Sequence, residues 1–64
     1  MQTFKIKKTK INGVSRYLWE IYYRGLFKYK SFCDYYFSSQ EDAMRYLYKE
    51  IGKTNCKIKV EDGD

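Results

Sequence analysis

Cationic side chains recur at alternate positions in the first half of the chain, which is also rich in aromatic residues. Lys5 and Lys7 are two residues apart, as are Lys28 and Lys30, on a chain whose formal net charge is +5. Lysine and arginine attract a phosphate backbone, release its counterions and can donate hydrogen bonds to guanine in the major groove. The chemistry that this pattern favours is binding of a polyanion.

The residues that catalysis needs are not assembled. The 64 residues include no histidine, and no glycine-rich phosphate loop is present. The neighbouring acids Glu41 and Asp42 are explained by a helix N-terminus. Cys33 and Cys56 form no CxxC pair, so they are expected to be reduced thiols packed in strands, with a disulfide as the alternative. We therefore expect no enzyme, no cofactor and no metal.

The size and composition predict one small domain over residues 1–64, with a core at about 3–52 and a tail at 53–64. At this length a single core is marginal, and the 20% aromatic content compensates by burying large side chains. Lysines interrupt the N-terminal region, and no apolar run approaches the roughly 20 residues of a membrane span. We expect a cytoplasmic protein, or one in the host cytoplasm if phage-encoded, with no membrane partner.

The first two predicted strands are joined at Asn12-Gly13, a strong signal for a two-residue type I′ hairpin turn. This turn would give one apolar face and one polar face. The apolar face pairs Ile11 with Val14, Lys8 with Tyr17, Ile6 with Trp19 and Phe4 with Ile21. The polar face pairs Thr9 with Arg16, Lys7 with Leu18 and Lys5 with Glu20.

A second turn is predicted at Arg24-Gly25-Leu26. A three-residue loop places Phe27 against Tyr23 and Tyr29 against Ile21, whereas a two-residue loop would put lysines on the apolar face. The apolar face then continues through Cys33, Tyr35 and Phe37.

One helix follows, beginning near Gln40. Ser39 is placed to cap its first turn, and Ala43, Leu47 and Ile51 recur at four-residue steps along an apolar stripe. Gly52 fits the left-handed position that ends helices. The fold class predicted is α+β: a three-stranded antiparallel sheet packed by its Trp19, Ile21 and Tyr29 face against one C-terminal helix, order βββα. The alternating segment 55–60, "NCKIKV", adds a short edge strand or an extended tail.

The predicted sheet face away from the helix is the candidate binding surface. It is expected to carry Lys5, Lys7, Thr9, Arg16, Leu18, Glu20, Tyr22, Lys28, Lys30 and Phe32. Three interpretations remain open: a nucleic-acid interface, a solvated lysine-rich face that discourages aggregation, and a protein-binding face.

The segment from Arg16 to Ile51 resembles the AP2-type DNA-binding domains of plant transcription factors and related N-terminal domains of phage-type integrases. The similarity lies in "WEIYYR" in the middle strand and "FSSQEDAMRYL" at the helix start, where Phe37, Ser39, Glu41, Asp42 and Ala43 match in spacing. The resemblance implies that the sheet, rather than the helix, enters the major groove. It also implies that Glu20 faces DNA, with Tyr22 where the family has arginine.

The sequence thus predicts a small basic nucleic-acid-binding protein that uses its exposed sheet face, with double-stranded DNA favoured over RNA. The alternative is a small phage-type inhibitor or adaptor that binds a host protein through the same face. The residues predicted to contact nucleic acid are Lys5, Lys7, Arg16, Glu20, Tyr22, Arg24, Lys28, Lys30 and Phe32.

Overall fold

A four-stranded mixed β-sheet with one helix on one face forms the protein, in a computed structural model that describes residues 2–13 and 15–62. The strands are β1 (Gln2–Lys10), β2 (Tyr17–Arg24), β3 (Tyr29–Ser31) and β4 (Cys56–Glu61). The helix α1 (Gln40–Glu50) and a 3-10 turn (Lys53–Asn55) lie between β3 and β4 in the chain. The predicted α+β class and the succession of three strands and a helix are confirmed.

The strand order is β3-β2-β1-β4, with β2 antiparallel to β1 and β3, and β4 parallel to β1. The segment predicted as an edge strand or a tail is therefore the edge strand β4. Its parallel pairing makes the sheet mixed, which corrects the expected three-stranded antiparallel sheet.

The core lies between α1 and one face of the sheet. Among the described residues, five side chains are buried there: Phe4, Ile6, Ile21, Ala43 and Leu47. Partly buried residues surround them, namely Trp19, Tyr23, Phe32, Cys33, Phe37, Met44, Tyr46, Ile51, Cys56 and Ile58. The Phe32 ring meets the Phe4 ring edge to face, with 5.2 Å between centroids. Aromatic rings thus supply much of the area that this small sheet buries.

The helix begins and ends where the sequence predicts. The Ser39 hydroxyl accepts a hydrogen bond from the Asp42 amide at 3.1 Å, which satisfies a free amide of the first turn. Gly52 follows the helix with a φ of +104°, and its amide donates to the Tyr48 carbonyl at 3.0 Å. The capping prediction for Ser39 is confirmed. Gly52 has the predicted positive φ, but its ψ of 135° lies outside the left-handed helical region.

The first hairpin has a longer loop than predicted. Phe4 pairs with Tyr23, Ile6 with Ile21 and Lys8 with Trp19, so the register is displaced by two residues. Gly13 has a positive φ of 85° but Asn12 does not, which excludes the type I′ turn. The predicted pair Ile11–Val14 lies partly outside the described residues. Because side chains alternate with period two, this displacement leaves each residue of β1 and β2 on its predicted face.

The second turn contains one residue more than predicted, and this changes the faces of β3. Tyr23 pairs with Lys30 and Arg24 with Tyr29, across a loop at residues 25–28. The expected pairs Phe27–Tyr23 and Tyr29–Ile21 are therefore wrong. An odd change in loop length moves Tyr29 to the face opposite α1 and places Lys30 on the helix side.

The cysteines are free, and both pack against the core. Cys56 lies in β4, whereas Cys33 follows β3. Within residues 2–13 and 15–62, no helix has the length and apolar character that crossing a bilayer requires.

Candidate nucleic-acid interface

The sheet face opposite α1 is the candidate interface, and we call it the open face. Cross-strand partners point to the same side of a sheet, so the register defines its members. They are Thr3, Lys5, Lys7 and Thr9 of β1; Leu18, Glu20, Tyr22 and Arg24 of β2; Tyr29 and Ser31 of β3; and Lys57, Lys59 and Glu61 of β4.

Lys5 lies at the centre of the open face and is held on several sides. Its Nζ is 4.4 Å from the centroid of the Tyr29 ring and 5.7 Å from that of Tyr22. The same Nζ is 3.7 Å from Glu61 Oε1, and the Lys5 side chain is only 19% exposed. Lys5 therefore organises the aromatic centre of the face, and part of its charge is already balanced by Glu61.

Tyr22 and Glu20 form a hydrogen-bonded pair beside Lys5. The Tyr22 hydroxyl donates to Glu20 Oε1 at 3.0 Å. Partial burial, followed by the hydrogen bond and negative charge of Glu20, raises the pKa of Tyr22 to about 12. Tyr22 is therefore a neutral donor at physiological pH, while the Glu20 carboxylate keeps further lone pairs for another donor.

Cations border this aromatic centre on both sides. Arg24 lies at the end of β2, with its Cζ 5.7 Å from the centroid of the Tyr29 ring. Along the β4 edge, Lys59 is the register partner of Lys5, and both Lys57 and Lys59 are exposed. The open face thus carries five cations, Lys5, Lys7, Arg24, Lys57 and Lys59, and two carboxylates, Glu20 and Glu61. This excess of positive charge around two tyrosines suits a polyanion.

The open face brings together five of the nine residues predicted to contact nucleic acid: Lys5, Lys7, Glu20, Tyr22 and Arg24. Four others lie elsewhere. Arg16 is in the 11–16 loop and Lys28 in the 25–28 loop, both exposed.

Lys30 and Phe32 lie on the helix side, because the second turn is longer than predicted. Lys30 pairs with Tyr23, and the Phe32 amide donates to the Ile21 carbonyl at 2.9 Å. The Phe32 ring also contacts the rings of Tyr23 and Tyr46 edge to face, so it belongs to the core. These four residues are removed from the predicted face.

Sequence reasoning missed Tyr29, Lys57, Lys59 and Glu61. Alternation along "CKIKVE" does separate Lys57, Lys59 and Glu61 from Cys56, Ile58 and Val60. It does not show which strand β4 pairs with, and pairing with β1 is what brings Lys59 beside Lys5. Tyr29 had no such signal, because its face depends on the length of the preceding loop.

No metal site is apparent in the described part of the chain, because no three His, Cys, Asp or Glu side chains are grouped closely enough to hold an ion.

On the helix side, a shallow depression of about 410 Å³ is lined by residues that include Tyr36, Asp42, Arg45 and Lys49. Asp42 is engaged there by Arg45 Nη1 at 3.0 Å and by the Ser38 hydroxyl at 3.0 Å. The open face is therefore the stronger candidate site.

Comparison with known protein families, curated proteins and solved structures finds no match. The similarity to AP2-type domains stays a prediction from sequence.

Proposed function

We propose that this protein binds nucleic acid, with duplex DNA as the favoured ligand, through the open face. The observation that carries the proposal is the cluster of five cations around Tyr22 and Tyr29 on one side of the sheet. Lys7, Arg24, Lys57 and Lys59 are assigned to the phosphate backbone. We also propose that the protein acts by binding rather than by catalysis, and that it does so in the cytoplasm.

The centre of the open face is assigned to the bases. The major groove is about 12 Å wide and admits β-strands, so side chains from β1 and β2 can reach base edges there. Glu20 is suited to accept from the exocyclic amine of cytosine. Tyr22 fixes the orientation of that carboxylate, because the Tyr22 hydroxyl donates a hydrogen bond to Glu20 Oε1. Backbone contacts would supply most of the affinity, and Glu20 a preference among sequences.

Salt dependence tests the proposal. With about four phosphates neutralised, log affinity against log salt should fall with a slope near −4 for duplex DNA. The double variant Lys57→Ala/Lys59→Ala should flatten this slope by about two units. The matched control is Lys49→Ala/Lys53→Ala, which removes the same charge from the end of α1 and the 3-10 turn. We expect the control to retain the wild-type slope.

The alternative is an inhibitor or adaptor that binds a host protein through the same face. Half-buried tyrosines beside lysines also suit an acidic protein surface. Failure of the wild-type protein to bind duplex DNA, single-stranded DNA or RNA at low salt, together with capture of one host protein, would replace the nucleic-acid proposal with this one.

A further inference from the structure

The loop between β2 and β3 exposes two adjacent apolar side chains. Leu26 is 83% exposed and Phe27 90% exposed, the highest values among the large apolar side chains described. The sequence pattern predicts Phe27 in the apolar face opposite Tyr23, but the four-residue loop carries it out of the sheet. Single exposed apolar residues are ordinary, whereas an exposed Leu-Phe pair at a loop tip indicates a contact surface.

The loop is closed by its own backbone. The Gly25 amide donates to the Lys28 carbonyl at 2.8 Å. A Cβ at position 25 would lie 2.7 Å from that same oxygen and 3.3 Å from Lys30 Cε, so glycine is required for this close approach. The pairing of Arg24 with Tyr29 fixes the base of the loop. Leu26 and Phe27 are therefore presented by a preformed turn, which lowers the entropy lost on binding.

Positive charge surrounds the tip. Arg24 and Lys28 flank it, Lys30 lies on the helix side one position beyond Tyr29, and no acidic residue occurs between Ile21 and Cys33. Arg24 approaches the Tyr29 ring on the open face, so the loop is continuous with the proposed interface. A ligand for the tip must therefore combine negative charge with an apolar or aromatic surface.

We propose that Leu26 and Phe27 act as a wedge that enters a base step of the duplex held on the open face. Arg24, which lies on the open face beside the tip, would contact a phosphate that flanks this step. An apolar side chain that enters a base step partly unstacks it, as the wedges of minor-groove proteins do. Here the tip would enter from the major-groove side, where the open face lies. Pyrimidine–purine steps unstack most readily, so insertion is directed to them. The wedge rests on the proposed function of the open face and adds deformation of the ligand to it.

Continuity with the open face favours nucleic acid over an anionic membrane, the other ligand with this chemistry. A tip that docks on a membrane needs only the apolar pair and the cations beside it, and the cations of the open face would have no role. Here the cations extend from the tip along the open face to Lys57 and Lys59 of β4, as a phosphate backbone requires.

The experiment compares wild type, Phe27→Ala and Tyr17→Ala on a short duplex that carries 2-aminopurine at a TA step. Tyr17 is the matched control, because it is an aromatic side chain 52% exposed at the opposite end of β2. Wild type and Tyr17→Ala should raise 2-aminopurine fluorescence on binding. Phe27→Ala should lose this rise and bind about tenfold more weakly, as loss of one stacked base predicts, with an unchanged salt slope.

Three results would overturn the wedge, and they are distinguishable. If Phe27→Ala retains both the fluorescence rise and the affinity, the wedge is wrong and binding by the open face stands. If wild type binds no nucleic acid at low salt, the proposed function fails and the wedge fails with it. If Phe27→Ala loses binding to phosphatidylserine vesicles while its DNA binding is unchanged, the tip is a membrane contact instead.

Discussion

Tyr22 lies near the centre of the open face, where partial burial, followed by the hydrogen bond and charge of Glu20, raises its pKa and keeps its phenol neutral. The hydrogen bond to Glu20 serves two purposes, because it satisfies the partly buried hydroxyl and fixes one carboxylate oxygen. Lys5 is similarly restrained by the Tyr29 ring and by Glu61. The centre of the face is therefore ordered before a ligand arrives, and Arg24, Lys57 and Lys59 at its margins are exposed.

The titration of Tyr22 tests this arrangement. We expect its ring to titrate with a pKa of about 12, against an ordinary value of 10.0. Because the folded pKa is the higher one, the stabilisation is complete below pH 10 and is lost as the pH rises through 12. NMR titration of the tyrosine rings measures this directly.

Glu20→Gln is the control for that titration. Glutamine keeps an oxygen acceptor for the Tyr22 hydroxyl but removes the negative charge, so the pKa of Tyr22 should fall toward its ordinary value. If the pKa of Tyr22 is the same in both proteins, Glu20 does not contribute to it, and the Tyr22–Glu20 pair does not exist in solution.

At the scale of elements, the start of α1 depends on one serine rather than two. The Ser39 hydroxyl accepts from a backbone amide, whereas the exposed Ser38 hydroxyl donates to the Asp42 side chain. Ser39→Ala should therefore lower the free energy of unfolding by about 1 kcal/mol, and Ser38→Ala by less than about 0.5 kcal/mol. Denaturant unfolding of both variants measures the difference, and equal losses would contradict the capping geometry.

The face assignment of β3 has an equally direct test in two phenylalanines. Phe32 packs among Phe4, Tyr23 and Tyr46, so Phe32→Ala should lower the free energy of unfolding by about 3 kcal/mol. Phe27 is 90% exposed, so Phe27→Ala should change the free energy of unfolding by less than about 0.5 kcal/mol. Thermal or denaturant unfolding compares the pair. If Phe27→Ala lowers the free energy of unfolding more than Phe32→Ala does, the three-residue turn is correct and the faces assigned to β3 are exchanged.

Local signals in the sequence were sufficient to predict the position of α1, because Ser39 and Gly52 mark its two ends. The faces of β1 and β2 were also predictable, because a register error of two residues preserves side-chain alternation. The faces of β3 were not, since "FKYKSF" carries rings at both odd and even positions and one extra loop residue exchanges them. The pairing of β4 with β1 joins distant parts of the chain, so Lys57 and Lys59 could not be placed beside Lys5 and Lys7 from alternation alone.

The dimensions of the whole molecule limit the ligand that it can cover. The Cα atoms extend 35 Å along the longest axis, about the length of one turn of B-DNA. One copy therefore contacts a single groove segment and a small number of phosphates, in keeping with a salt slope near −4 rather than a steeper one. Four cations, Lys7, Arg24, Lys57 and Lys59, account for such a slope without a contribution from α1.

NMR mapping of side chains during titration with duplex DNA tests the central claim most directly, because it distinguishes the two sides of the sheet. The open-face account predicts that the rings of Tyr22 and Tyr29 and the ammonium groups of Lys57 and Lys59 shift on binding. The Met44 methyl and the Tyr48 ring, both on α1, should stay unchanged. Shifts confined to α1 at low salt, or no shifts at all, would contradict the account.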